Sequence, residues 1–363
     1  MIGGPKKVLF LYTEIAPYVL ACLEKLANDH PVNVHLVRWP VNKEAPFSFN
    51  AGNIAISERD RSRNDKLIQF IDDLRPDIIF TSGWVDKTYL KIARKHRKRG
   101  IPVVLCSDTA WRGDLRQFIG ILLGKFWIQH TFTNAWVTGE AQSTYARKLG
   151  FSADRIQTGF YSADTEKFTA IGQNLLDRRS GSWPHRFLCV ARYISTKGHQ
   201  YLCDAFAELC DEGAAKDWEL WIAGTGELHQ EVKDSPSGRH ARIHHLGFKQ
   251  AGEMEKVLEQ CGVFVLPSLY EPWGVVVHEH ACAGFPLLLS SAVGSSERFL
   301  IEMENGNRFV AGDKSILKTM MRMMVLSTDS DLYAMGERSA ELGRSWSPRQ
   351  WADTAIGFLE QRT

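Results

Sequence analysis

The sequence has no cysteine framework, no long apolar run and almost no net charge. Its seven cysteines (Cys22, Cys106, Cys189, Cys203, Cys210, Cys261 and Cys282) are odd in number, scattered and never spaced C-x-x-C. That excludes a disulfide scaffold and a paired-thiol metal or redox site. Most sit among apolar neighbours, which fits buried thiols in a reducing, cytosolic compartment. The N-terminus shows no signal-peptide pattern, since Lys6 and Lys7 precede only the short run Val8 to Tyr12, broken by Glu14. No stretch is long and apolar enough to span a bilayer, so the chain is expected to be soluble or at most peripheral at the inner face of a membrane. A net charge of +2 gives no case for a dedicated nucleic-acid binder, and any basic surface must be local.

What is present suits two ordinary globular domains. The chain has 363 residues, 44% of them hydrophobic and 24% charged, enough to bury sizeable cores. It opens on the apolar run Val8 to Tyr12, followed by a helical pattern (Val19, Leu20, Leu23, Leu26, Ala27) and a second run, Val32 to Val37. A helix near Asn64 to Leu74, a strand at Asp77 to Thr81, a basic helix at Lys87 to Arg99 and a strand at Pro102 to Cys106 continue the alternation. A second series starts at Phe187 to Ala191, with strands at Glu219 to Ala223, Ile243 to Leu246, Val263 to Leu266 and Pro286 to Ser290. Asp177 to His185 reads as the loop that introduces it. Continuous apolar strands between amphipathic helices indicate parallel sheets covered on both faces. The expected fold is α/β, with two Rossmann-like doubly wound domains facing a cleft and a join near residue 160. Ligands in such sheets sit beyond the carboxyl ends of the strands.

The strongest local signal is Glu271-Pro272-Trp273-Gly274-Val275-Val276-Val277-His278-Glu279, directly after the strand Val263 to Leu266. If a helix starts near Gly274, the first N–H groups, at Gly274, Val275 and Val276, form a natural seat for phosphate, and the glycine lets a ligand approach the backbone. Glu279 then lies just over a turn inside, placed to accept hydrogen bonds from ribose hydroxyls, and Glu271 precedes the helix. By propensity alone Val275 to Val277 reads as strand, but a strand already precedes it and Pro286 opens the next. On residues alone, Glu279 reads equally as an exposed helical carboxylate.

With its neighbours Pro267-Ser268, Ala283-Gly284-Phe285-Pro286, Gly294-Ser295-Ser296-Glu297 and Glu304-Asn305-Gly306, this segment closely resembles the E-x7-E region of the retaining GT-B glycosyltransferases. The resemblance is strongest to glycosyltransferase family four (glycosyl transferases group 1), and it covers the second domain in the family's order. It implies a nucleotide diphosphate sugar as donor co-substrate, with no other cofactor and no metal. It also implies that Glu271 meets the transferred sugar. In Ala191-Arg192-Tyr193-Ile194-Ser195-Thr196-Lys197-Gly198, Arg192 and Lys197 match the family's diphosphate-holding cations. A departing diphosphate gains charge, and one close charge pair is worth roughly 4 kcal/mol before desolvation at an effective dielectric of about 20. The plainer reading is a surface Arg and Lys flanking a helix cap. Ala223-Gly224-Thr225-Gly226-Glu227 resembles the family's glycine-rich turn and equally a tight strand-to-helix turn. Gly247-Phe248-Lys249 resembles its base-side loop. Ser345-Trp346-Ser347-Pro348 opens an amphipathic helix (Trp351, Ala355, Phe358, Leu359) like the family's terminal helix, which crosses back to the first domain. The expected division is therefore 1–160 for an acceptor-binding domain, 161–345 for a nucleotide-sugar-binding domain and 346–363 for that helix.

The first domain departs from the family. Its first loop, Thr13-Glu14-Ile15-Ala16-Pro17-Tyr18, has no glycine pair, and Gly3-Gly4 lies before the strand. After Val103 to Cys106 stands Ser107-Asp108-Thr109-Ala110-Trp111-Arg112 where a histidine is usual. Asp108 is a candidate to orient an acceptor hydroxyl, or else a helix N-cap; Trp111 is a candidate to stack on a sugar ring. His278, His280, His244 and His245 show no metal-ligand spacing. The basic run Lys91, Arg94, Lys95, Arg97, Lys98, Arg99, with Phe118 to Trp127, offers a seat on anionic lipid; the plainer reading is a solvated helix face plus a buried helix. The expectation is a retaining transferase that moves a hexose-type sugar from a UDP- or GDP-sugar to a glycan or lipid-linked acceptor in bacterial-type polysaccharide or glycolipid synthesis. The rivals are a non-hydrolysing sugar-nucleotide 2-epimerase and a non-catalytic sugar-nucleotide-binding subunit.

Overall fold

The computed structural model describes residues 4–40 and 52–360. The chain forms two compact units, one of Met1–Asp164 with Trp346–Thr363 and one of Thr165–Ser345. The first runs β1 (Lys6–Tyr12), α1 (Pro17–Asp29), β2 (Val32–Arg38), β3 (Ala55–Glu58), α2 (Asn64–Leu74), β4 (Ile78–Ser82), α3 (Lys87–Arg97), β5 (Val103–Ser107), α4 (Leu115–Thr131), β6 (Asn134–Val137), α5 (Glu140–Lys148) and β7 (Ile156–Gln157). All pairings are parallel, in the order β3-β2-β1-β4-β5-β6-β7. Because strand side chains alternate, each apolar run feeds two cores. Phe10, Phe80 and Cys106 face one, while Leu9, Leu11, Ile79 and Leu105 face the other.

The second unit runs α6 (Thr165–Arg179), β8 (Arg186–Val190), α7 (His199–Asp211), β9 (Glu219–Ala223), α8 (His229–Asp234), β10 (Ile243–Gly247), α9 (Ala251–Leu258), β11 (Val263–Leu266), α10 (Val275–Cys282), β12 (Leu287–Ser290), α11 (Ser296–Phe299), β13 (Gly306–Phe309), α12 (Lys314–Leu326) and α13 (Asp329–Gly343). Its strands are also all parallel, ordered β10-β9-β8-β11-β12-β13. Two expectations change here. Asp177 and Arg178 close α6 instead of starting a loop, because that helix buries Leu175 and Arg179, and Arg179 Nη2 donates to Leu258 O at 2.9 Å. The valine run Val275–Val277 is helical despite its propensity. Val275 and Val277 are buried, and tertiary packing outweighs a propensity of a few tenths of a kcal/mol per residue.

The chain then returns to the first unit in α14 (Pro348–Glu360). Trp351 lies with its ring centroid 4.7 Å from Trp136 and 6.0 Å from Phe10, and its Nε1 donates to Phe160 O at 2.7 Å. Trp346 Nε1 donates to Tyr161 O at 3.1 Å. The last helix is thus part of the first unit's aromatic core.

Candidate functional site

In each sheet the strand order reverses once, between β1 and β4 and between β8 and β11, and it is beyond such points that open α/β sheets place ligands. In the second unit the two loops that leave this point are joined through their backbones, since Leu269 N and Tyr270 N both donate to Thr196 O, at 2.8 and 3.2 Å. Lys197 belongs to a 3-10 turn, Ser195–Lys197, one residue ahead of α7 rather than inside it. Its Nζ forms an ion pair with Glu271 Oε2, and only 16% and 13% of the two side chains remain exposed. A cation so covered is held in one geometry. His199, two residues on, is buried and is pushed down to about 3 by that burial and by the Lys197 charge, so its ring stays neutral.

Glu271 also touches the start of α10. Gly274 is the N-cap, with φ +90°, and a Cβ there would lie 3.0 Å from Glu271 Cγ. A side chain at 274 would therefore be strained and would press on the carboxylate. The loop is braced from behind by Ala292 to Ser295. Glu271 N donates to Ala292 O (3.2 Å), Gly294 N to Glu271 O (3.0 Å), Ser295 N to Trp273 O (2.9 Å) and Ser295 Oγ to Gly274 O (3.1 Å). The sequence marked that brace only as family-like. Its readable trace is Gly294, where a Cβ would fall 2.1 Å from Pro272 O.

The structure thus brings together Lys197, Glu271 and Gly274, with Val275 and Val276 opening the helix. Glu279, one turn on and four residues from Val275, shares its side of α10 and is half-buried. Arg192 stands exposed in the same loop as Lys197, and Lys249 is half-buried two residues past β10. Gly224 and Gly226 each answer a packing demand at this loop. A Cβ on Gly224 would fall 2.0 Å from Ala191 O, and one on Gly226 2.5 Å from Tyr193 O. They let the turn after β9 press on the Arg192 loop, where Tyr193 N donates to Thr225 O at 2.9 Å. Both thereby set the shape of the Lys197 loop.

The first unit carries Asp108, whose Oδ2 accepts from Tyr161 Oη at 3.3 Å. Burial first, and the neighbouring Tyr18 and Asp108 next, hold the Tyr161 phenol protonated far above its ordinary range. Asp108 caps no helix, because α4 starts later and its cap is Asp114, which accepts from Gln117 N at 2.8 Å. Trp111 is half-buried among aromatic and basic neighbours. Its ring stacks on Tyr145 (5.8 Å between centroids), meets Phe118 edge-on (5.0 Å) and lies under Lys148 Nζ at 4.6 Å. The glycine-free first loop is tied instead to the neighbouring strand end, Thr13 N donating to Ser82 Oγ at 2.9 Å. Gly4 precedes β1, and Gly3 lies outside the described residues.

Part of the basic run is neutralised locally. Lys95 and Arg99 both pair with Asp72, and Arg94 lies over the Trp127 ring at 5.2 Å. The expectation of a buried helix at Phe118 to Trp127 fails, since α4 turns Phe118, Ile119, Leu122, Leu123 and Phe126 to solvent. His278 stacks on Phe299 and His280 on Phe264, at 4.1 and 3.9 Å, on opposite sides of α10. Among the described residues no group of His, Cys, Asp or Glu is arranged to hold a metal, and no helix is long and apolar enough to cross a membrane.

Residues 184–325 match the family model described as glycosyl transferases group 1. An uncharacterized glycosyltransferase of Methanocaldococcus jannaschii is 34% identical over 112 residues, 30% of this chain and 28% of that protein. The UDP-Gal:alpha-D-GlcNAc-diphosphoundecaprenol alpha-1,3-galactosyltransferase of Escherichia coli is 26% identical over 134 residues, 34% of each. The matched segments thus span about a third or less of these two relatives. Anabaena HepE, crystallised with UDP and glucose, superposes with a TM-score of 0.72 at 14% identity over 98% of this chain and 100% of that one. The two Rossmann-like units have the fold of the GT-B glycosyltransferases, and most of the second is the segment that the group 1 family model describes.

Proposed function

We propose that the protein is a retaining, metal-independent glycosyltransferase that moves a hexose-type sugar from a UDP-sugar, or a GDP-sugar, to a glycan or lipid-linked acceptor in polysaccharide or glycolipid synthesis. The observation that carries this reading is the contact of Glu271 with both Lys197 and the Gly274 start of α10, at the strand-order reversal of the second sheet. A diphosphate there is met by the helix's first N–H groups and by two cations, Lys197 and Arg192. Glu279 holds the ribose, Lys249 lies on the base side, and Glu271 contacts the sugar. The lipid diphosphate acceptor and UDP-galactose donor in the name of the Escherichia coli relative, and UDP in the HepE crystal, favour uridine and a membrane-borne acceptor. Seven free, buried thiols favour the reducing, cytosolic side of that membrane.

In the reaction the acceptor oxygen bonds to the anomeric carbon on the face from which the diphosphate leaves. The bond from that carbon to the phosphate oxygen breaks, and the leaving phosphate takes the acceptor's proton. Retention follows with no enzymic nucleophile. Glu271 and Lys197 position sugar and diphosphate, Arg192 adds charge as the bond breaks, and Asp108 of the first unit orients the acceptor hydroxyl.

The test is a thermal-shift panel of UDP, GDP, ADP and dTDP, followed by incubation of the matching sugar nucleotides with lipid-linked acceptors. Nucleoside diphosphate and an α-linked product from an α-linked donor are expected. An altered sugar nucleotide with no diphosphate released identifies an epimerase and overturns the proposal. Binding without turnover of any acceptor identifies a sensor and does the same.

A further inference from the structure

Six of the fifteen large apolar side chains exposed among the described residues lie on α4: Leu115, Phe118, Ile119, Leu122, Leu123 and Phe126. Leu122 keeps 81% of its surface open, and Leu115, Leu123 and Phe126 about three-quarters. At 3.6 residues per turn these positions fall on one continuous face spanning roughly 140°. The opposite face, with Gln117, Gly124, Ile128 and Thr131, is buried in the first unit. The helix is therefore anchored on one side and apolar to water on the other, an arrangement that asks for an apolar partner.

Charge says which partner. Neither α4 nor α3, which packs beside it, contains a single Asp or Glu. On the helical wheel Arg116 and Lys125 flank the apolar face on its two sides, both exposed, and Arg94 of α3 lies over Trp127 at the edge. The acidic residues nearby are turned to other work, Asp72 on Lys95 and Arg99 and Asp114 on the helix cap. A symmetric pairing of two copies through this face would gather these cations with no acidic residue of α4 or α3 to offset them. An anionic lipid surface offers acyl chains to the apolar face and headgroups to Arg116, Lys125 and Arg94.

We propose that α4 is a docking helix that lies in the plane of an anionic lipid surface, its six apolar side chains among the acyl chains and its flanking cations at the headgroups. The N-terminal end of α4 is bonded to the Asp108 loop, Gln117 accepting from Arg112 N (2.7 Å) and donating to Ala110 O (2.8 Å). Docking thus fixes Asp108 close to the interface. Lipid binding itself needs no nucleotide and stands apart from the transfer reaction.

The test is flotation of the full chain, without nucleotide, on phosphatidylcholine vesicles with and without roughly 30% phosphatidylglycerol. Binding to the anionic vesicles alone, weakened by salt, is expected. Leu122→Asp with Phe126→Asp lowers it by about a hundredfold or more, and Arg116→Glu with Lys125→Glu by about thirtyfold or more. Both pairs are exposed, so circular dichroism melting stays that of the parent chain; should the apolar pair melt lower, the charge pair still decides. No flotation of the parent chain overturns the proposal, as does undiminished flotation of the well-folded apolar pair. A dimer that the apolar pair dissociates, with no lipid binding, assigns the face to a second copy and overturns it too. Loss of sugar transfer with flotation intact would strike the proposed reaction alone.

Discussion

The two units share one topology and build the same point of it from different chemistry. In the second, the loops leaving β8 and β11 hold a largely covered ion pair, Lys197 with Glu271, beside a glycine that caps a helix. In the first, the loops leaving β1 and β4 are tied by hydroxyls, Thr13 to Ser82, and the surroundings are aromatic, Tyr18 lying edge-on to Tyr161 at 5.4 Å. A diphosphate is small, doubly charged and common to many donors, so a site for it needs few residues and fixed ones. An acceptor hydroxyl is neutral and its carrier is particular to each enzyme, so hydroxyls and rings suffice and no charge pattern is imposed. The contrast is consistent with donor binding in one unit and acceptor binding in the other.

The largest expected effect tests whether the units keep separate books of stability. Trp351→Ala removes a buried ring packed on Trp136 and Phe10, and costs the first unit about 3–5 kcal/mol. Denaturant unfolding followed at the first unit should shift to lower concentration, while stabilisation of the second by UDP persists. Loss of that stabilisation would show that α14 serves both. Next in size, Arg192→Ala with Lys197→Ala should lower turnover by about a hundredfold to a thousandfold and abolish the thermal shift with UDP. Glu271→Gln sharpens the same point. It releases Lys197 from its carboxylate, so transfer falls while UDP binds as well as or better than before. Weaker UDP binding in Glu271→Gln would mean that the carboxylate is needed to aim Lys197.

A further substitution separates glycines that serve packing from those that serve ligands. Gly224 has φ +140°, and a Cβ would overlap Ala191 O, so Gly224→Ala should destabilise the second unit by about 2–3 kcal/mol with donor affinity of the folded fraction little changed. Unaltered stability with lost affinity would return Gly224 to the donor site. This glycine also shows where sequence reading stops. Continuous apolar strands made both sheets legible, and the Glu271 to Glu279 segment with its glycine made the helix start at Gly274 legible, because each is a one-dimensional pattern with a local cause. The Gly224 turn gave two equal readings, since which backbone approaches it depends on a loop some 30 residues earlier in the chain. The neighbours that pack on Trp111, Tyr145 and Lys148, lie far along the chain, so its surroundings were not legible in its own segment. The apolar helix α4 was expected in a core because composition reports hydrophobicity and not which side of a fold it faces.

The smallest expected effect lies far from either loop, at the opposite end of the second sheet, and tests whether charge in that unit is specific to the ligand end. His185 stacks on Trp218 and shares hydrogen bonds with Asp217 (2.8 Å) and Asp329 (2.9 Å), tying the start of β8 to the start of α13. Partial burial opposes the charged ring, but the two carboxylates outweigh it and raise its pKa. The carboxyls are in turn held below their usual range, each chiefly by its hydrogen bond to His185. For the imidazole, a raised folded pKa means stability that is complete below about 6.5 and fades as pH rises through the folded value. For the carboxylates, lowered folded values mean stability complete above about 3.9 and fading as pH falls through them. The cluster therefore contributes most between about pH 4 and 6.5, and because its groups are largely exposed the contribution is at most about 1 kcal/mol. Asp329→Asn should leave melting near pH 8.5 almost unchanged and lower it by about 1–3 °C near pH 5.5. An equal loss at both pH values would show that Asp329 acts through its hydrogen bond to Trp183 N (3.1 Å) and not through the charged imidazole.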